Sequence, residues 1–169
     1  MKKYLALIIV VFLVIFSNAQ KGLGFDLGIA TSKAPMFDIK YFLNENAFSL
    51  GASYQIFNDA LGKKKDGVIP GTNAIGDGDY FFSVDMGYTR LLNEKFSVSG
   101  EISIGNRKFY QNLSDNNFSE GGYHRITKTN VIVGVGASIT YNANDIVGFF
   151  AGYNSIREAA AGVQIKFVH

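Results

Sequence analysis

Apolar residues alternate with small or polar residues through most of the chain, and this period of two is the feature that most restricts the fold. Val131, Val133 and Val135, for example, alternate with Gly134 and Gly136. Successive side chains of a strand point to opposite faces, so the alternation predicts strands with one apolar face. Eight segments show this pattern: 23–30, 37–43, 48–56, 80–89, 96–104, 131–141, 147–154 and 161–168.

The N-terminal residues have a different character. The chain begins with two lysines, an apolar run over residues 5–16 and small residues up to Ala19. This is the three-part pattern of a secretory signal peptide, and the run is shorter than the about 20 residues of a membrane-spanning helix. We therefore expect residues 1–19 to be a cleaved signal peptide and residues 20–169 to form one domain.

The leader also carries the net charge of the chain. The sequence has 16 basic and 14 acidic residues, and two of the basic residues are Lys2 and Lys3. The rest of the chain therefore has fourteen charges of each sign, so its charge gives no reason to expect a nucleic-acid partner. It has no cysteine, which excludes a disulfide framework.

The two faces of the alternating segments differ in a way that favours lipid. The apolar face has no charged residue, and the other face consists mostly of Gly, Ser, Ala and Thr. A soluble surface carries roughly 25–35% charged residues, whereas small residues fit the narrow interior of an eight-stranded barrel. A spanning sheet must also close, because lipid cannot satisfy open strand edges. The sequence predicts an all-β fold, an eight-stranded antiparallel up-and-down transmembrane β-barrel; the alternative is a soluble β-protein.

The connections between these segments are of two lengths. Short, Asn-rich turns are typical of the periplasmic rim of outer-membrane barrels, and longer loops are typical of the extracellular rim. We expect short turns at 44–46, 91–95 and 142–145, and loops at 31–36, 58–79, 106–130 and 155–159.

The leader, the eight segments and the closing sequence from Gly162 to Phe167 together resemble the small outer-membrane β-barrels of the OmpA/OmpX type. The resemblance implies a bacterial outer-membrane location, a monomer, contact with outer-membrane lipid and lipopolysaccharide, and insertion by the barrel-assembly machinery. It also implies that Phe167 belongs to the assembly signal of the last strand, although Val168 and His169 follow it here.

Charged residues on the face of small side chains are candidates for a cluster in the lumen. They are Asp26, Lys40, Asp85, Glu101 and Lys166. We expect Lys40 and Lys166 to bridge the three carboxylates and hold the lumen closed, since buried charges need partners. The alternative is that trapped water solvates each charge separately.

Three other features have less specific interpretations. His124 lacks the His-x-Ser pair of barrel deacylases, so we predict no catalytic residue. Lys63 to Lys65 are either a solvated charge run or a contact for lipopolysaccharide phosphates. Asp77 and Asp79 lack the spacing of a calcium loop, so we predict no metal and no cofactor.

The functional prediction follows from the barrel and not from a motif. We expect a structural or surface-interaction protein that stabilises the envelope or mediates adhesion through its long extracellular loops, with an unidentified surface ligand. A narrow, porin-like channel is the alternative, and a lipid-modifying barrel enzyme is the third possibility.

Overall fold

The computed structural model of the protein describes residues 21–115 and 121–168 and confirms the predicted barrel. Each strand pairs antiparallel with the next, and β1 pairs with β8, so the sheet closes on itself. The leader at 1–19 lies outside the described residues. The strands are β1 (Lys21–Ala30), β2 (Pro35–Leu43), β3 (Asn46–Tyr54), β4 (Asn73–Leu91), β5 (Phe96–Ser114), β6 (Gly122–Asn142), β7 (Val147–Asn154) and β8 (Glu158–Val168).

The apolar face of every strand is the outside of the barrel. Leu27 on β1, Leu50 on β3 and Ile102 on β5 are 52%, 59% and 53% exposed, whereas the small and polar residues between them point inward. An apolar belt of this kind requires contact with lipid, because the exposed apolar patches of soluble proteins are far smaller. No helix among the described residues is long and apolar enough to cross a membrane.

The connections at the two rims differ, as expected. On the rim where β1 begins and β8 ends, tight turns join β2 to β3, β4 to β5 and β6 to β7. In the first of these, Asn44 has a φ of 52°, a left-handed conformation that asparagine adopts more readily than most residues. The opposite rim carries loops L1 (31–34), L2 (55–72) and L4 (155–157).

The extent of two predicted loops was wrong. Strands β4, β5 and β6 are 19, 19 and 21 residues long; β4 includes residues 73–79 of the predicted loop 58–79, and β5 and β6 include most of the predicted loop 106–130. The other strands have 8 to 11 residues. A three-stranded sheet, the extension, therefore projects beyond the barrel; it consists of residues 73–80, 107–114 and 122–134. Its outward face lacks the regular apolar alternation of the barrel strands, with Lys108 and Asn112 on β5, yet its backbone groups still pair in ladders.

Candidate functional site

The interior of the barrel contains an ion-pair cluster centred on Arg157. This residue lies in L4, and its side chain turns into the lumen, where the residue is only 4% exposed. Nη1 lies 3.0 Å from Asp85 Oδ2, and Nη2 lies 2.6 and 2.7 Å from the two oxygens of Glu101. A planar guanidinium is suited to such multiple, charge-assisted contacts.

Polar neighbours complete the hydrogen bonding of the two carboxylates. Ser53 and Ser83 donate to Asp85 at 2.7 and 3.0 Å. Asn154 donates to Glu101 Oε1 at 2.7 Å. The cluster thereby connects L4 and β7 to strands β3, β4 and β5 across the lumen.

A second ion pair lies on the opposite wall of the lumen. Lys40 Nζ is 2.7 Å from Asp26 Oδ2, and both side chains are about 95% buried. Gln164 on β8 donates to Asp26 Oδ1 at 2.9 Å. These contacts join β2, β1 and β8, so four of the five predicted lumen charges lie in two separate clusters.

The predicted role of Lys166 was wrong. Its ammonium donates to Asn142 Oδ1 at 2.7 Å and lies 5.4 Å from the centre of the Phe42 ring. Among the described residues it has no carboxylate within ion-pair distance, because β8 places it near the rim of the short turns. Arg157 bridges the carboxylates of Asp85 and Glu101 in its place.

Sequence reasoning missed Arg157 because its segment was interpreted as a loop. The available signal was the excess of carboxylates over lysines on the inner face. Once Asp38 is counted with them, the four acids in the lumen need a cation that the strands alone do not supply.

An apolar layer covers the ion pairs on the side of the loops. Phe81 and Ile156 are 1% and 5% exposed and pack with Ala30 and Ala34. The Arg107 guanidinium lies 6.0 Å from the centre of the Phe81 ring on the outer side of this layer. Among the described residues, the lumen is thus filled from the apolar layer to the ion pairs.

The first half of L2 crosses the outer face of the extension. Asn112 lies on this face, which continues the outward side of β5. Its side-chain oxygen accepts a hydrogen bond from Leu61 N at 2.9 Å, and its amide nitrogen donates to Asp59 O at 2.9 Å. His124 Nδ1 lies 2.8 Å from Leu61 O. These contacts fix L2 against β5 and β6.

The second half of L2 returns along the inner face. At the free edge of β6, Lys64 forms a parallel bridge with His124. Tyr123, the next residue on the opposite face, is fully buried, and its hydroxyl accepts a hydrogen bond from Ile69 N at 2.8 Å. L2 therefore passes over one face of the extension, around the β6 edge and back along the other face.

The remaining candidates from the sequence take ordinary structural positions in the described residues. His124 is 9% exposed, and its ring packs edge-on against Tyr110 at 5.9 Å. Lys64 is half exposed and pairs with Asp66 at 3.1 Å. Asp79 pairs with Arg107 at 3.4 Å, and within residues 21–115 and 121–168 no group of three or more His, Cys, Asp or Glu side chains converges on a metal-sized site.

The contacts of Asn112 give a prediction for L2. Replacing Asn112 by leucine keeps the side-chain volume but removes two hydrogen bonds, so L2 should detach more often, at a cost of about 1–3 kcal/mol. We expect trypsin to cleave at Lys63 to Lys65 about ten-fold faster on intact cells, while the barrel band on a gel stays intact. Gln111→Leu, one residue away and facing the other side, serves as the control. Equal cleavage rates for the two variants would contradict this role for Asn112.

Comparisons with known proteins give likeness only at the level of structure. No family model and no curated protein matches the chain. Neisserial surface protein A is 14% identical over 87% of this chain and 94% of its own, with a TM-score of 0.47. The attachment invasion locus protein Ail of Yersinia pestis is 13% identical over 90% and 99%, with a TM-score of 0.48. The N-terminal β-barrel domain of Pseudomonas aeruginosa OprF is 14% identical over 89% and 100%, with a TM-score of 0.48. At these values no ligand or role transfers to this chain.

Proposed function

We propose that this protein is a bacterial outer-membrane β-barrel that acts at the cell surface through its extension, with the barrel as a closed anchor. The outward apolar belt supports the location, because a basic residue at mid-depth costs about 2–4 kcal/mol and this belt contains none. The longer connections of such barrels are extracellular, which places the extension outside the cell. The ion pairs and the apolar layer support an anchor over a channel.

The observation that carries the surface role is the free edge of β6. Strand β7 ends at Asn154, opposite Gly136, and the last backbone bond from β7 and L4 to this edge joins Ser155 N to Val135 O; L2 occupies the edge again only at His124. Beyond it, Thr129, Val131 and Val133 direct their N–H and C=O groups away from β5, and no described residue bonds to them. An edge of this kind accepts an added strand from a partner.

The side chains beside this edge are also suited to a protein contact. Val131 and Val133 are 75% and 69% exposed, more than any other large apolar residue described, and the adjacent Val135 follows at 65%. The other edge of the extension is better protected: Asp77 and Asp79 lie on it, and charged side chains discourage strand addition. The β6 edge is therefore the surface where we place the contact.

Replacing Val131 by proline tests this assignment. Proline removes only the N–H that faces the free edge, and edge positions tolerate it. We expect cells that display the variant to lose most of the attachment to host-cell monolayers that the parent protein confers. The measurement is the number of adherent cells at equal surface expression.

A matched variant controls for loss of the fold. Val98→Pro places proline in a fully paired strand of the barrel and should reduce the amount of folded protein itself. Attachment by folded Val131→Pro at the level of the parent would reject the β6 edge as the contact surface.

The end of the last strand supports the role of Phe167 in assembly. Phe167 faces outward, is 53% exposed and lies 6.0 Å from the Phe25 ring across the β1–β8 seam. This position leaves the ring accessible to the assembly machinery before the seam closes. Outer-membrane lipid and lipopolysaccharide are the proposed surroundings of the rest of the belt.

A further inference from the structure

The charges of the lumen do not balance. The described side chains that face it include four carboxylates, those of Asp26, Asp38, Asp85 and Glu101. They include three cations, those of Lys40, Arg157 and Lys166. One negative charge is therefore in excess in a poorly solvated space, where an uncompensated charge is costly.

Asp38 is the carboxylate without a partner. It is 6% exposed, and among the described residues it accepts no hydrogen bond and has no cation within ion-pair distance. Its Cα partner on β1 is Asp26, which the Lys40 ammonium and the Gln164 amide already satisfy. Gly51 lies opposite Asp38 on β3, and any side chain at this position would collide with the carboxylate.

The carboxylate of Asp38 borders a cavity between the two ion-pair clusters. The cavity has a volume of about 30 Å³. The hydroxyls of Ser49, Ser99 and Ser138 border it as well. So do the two ion pairs, Asp26 with Lys40 and Glu101 with Arg157, whose charges cancel and leave Asp38 as the uncompensated charge at the cavity. This volume holds about two water molecules, or an ion with one water. Hydroxyl, carboxylate and water oxygens are the ligands that hard cations prefer.

We propose that this cavity binds one monovalent cation, sodium, at the Asp38 carboxylate. A single positive charge matches the single excess negative charge. A divalent ion fits less well, because no group of three acidic or histidine side chains converges among the described residues. The ion would neutralise Asp38 beside Asp26 and make the closed lumen neutral.

The test compares sodium with a cation too large for the cavity. The full-length protein, folded in detergent micelles at pH 8, is heated in mixtures of sodium chloride and choline chloride at fixed ionic strength. The midpoint of unfolding is read from heat-modifiable gel migration. For a ligand that binds only the folded state, we expect the midpoint to rise by about 3–5 °C for each ten-fold increase in sodium above the Kd.

Two variants locate the effect. Asp38→Asn should abolish the dependence on sodium and should unfold in choline at or above the temperature of the parent. Asp66→Asn, which changes an exposed carboxylate of L2, should retain the full dependence.

Three results would overturn the proposal. One is an equal midpoint of the parent protein in sodium and in choline, which decides the matter even if Asp38→Asn fails to fold. The second is a sodium dependence that persists in Asp38→Asn. The third is a midpoint that does not respond to sodium at any pH but rises equally in both salts when the pH is lowered from 8 to 5. This result would mean that Asp38 takes up a proton in place of the ion.

Discussion

Replacing Arg157 by alanine should destabilise the barrel by about 3–5 kcal/mol, the usual cost of removing one partner from a buried ion pair. The variant leaves Asp85 and Glu101 buried without their shared cation, and these residues are 2% exposed and partly buried, respectively. The serine and asparagine donors around them remain, but neutral donors compensate only part of a charge. The urea midpoint of unfolding from detergent micelles measures the loss.

Two further variants separate the buried charge from other effects. Arg90→Ala removes an arginine from an exposed pair with Glu45, at 3.6 Å, and should change stability by no more than about 1 kcal/mol. Adding Asp85→Asn and Glu101→Gln to Arg157→Ala should recover much of the loss, because the uncompensated charges disappear. If Arg157→Ala unfolds at the urea midpoint of Arg90→Ala, the cluster does not hold the lumen together.

Arginine in place of Leu50 should reduce the stability of the inserted barrel by about 2–4 kcal/mol, the cost of a basic residue near the bilayer midplane. Leu50 lies in the middle of β3 and points outward, with 59% of its surface exposed. The fraction of protein that folds into lipid vesicles, followed by gel migration over a range of urea concentrations, measures this cost.

Leu92 offers a closely matched control. It is also 59% exposed, but it lies in the turn between β4 and β5, at the rim of the barrel. Leu92→Arg should fold into vesicles as well as the parent, because the charge reaches the interface. Equal losses for the two variants would mean that the outward belt does not lie in lipid.

The alternation of side chains was sufficient to predict the barrel because a strand assigns each residue to one of two faces. In β3 it correctly placed Phe48 and Leu50 outside and Ser49 and Gly51 inside. The register between strands follows from this assignment, since a shift by one residue would turn the apolar face into the lumen.

The partners within the lumen could not be predicted in the same way. The alternation predicts that Asp85 and Lys166 face inward, but it does not predict the position of each side chain along the barrel axis. The alternation also gives no information about long side chains that reach the lumen from turns. Arg157 reaches the lumen because L4 is short and Glu158 adopts a φ of 69°. This backbone conformation could not be predicted from the sequence.

The extension was missed for a different reason. Its sequence lacks the regular apolar alternation of the barrel strands, since L2 contacts both of its faces, and such a mixed composition is typical of loops. The ladder of hydrogen bonds from Lys108 to Ser114 does not depend on side-chain polarity. The apolar periodicity therefore stops at the end of the lipid-facing belt, although the sheet continues beyond it.

The path of L2 has a consequence for the order of folding. L2 precedes β5 and β6 in the chain, yet it encloses the sheet that these strands complete. Either L2 wraps around the finished sheet, or the growing hairpin of β5 and β6 passes through it while it is still open. In both cases L2 can take its final path only after β5 and β6 have paired, so the segment made earlier becomes ordered later.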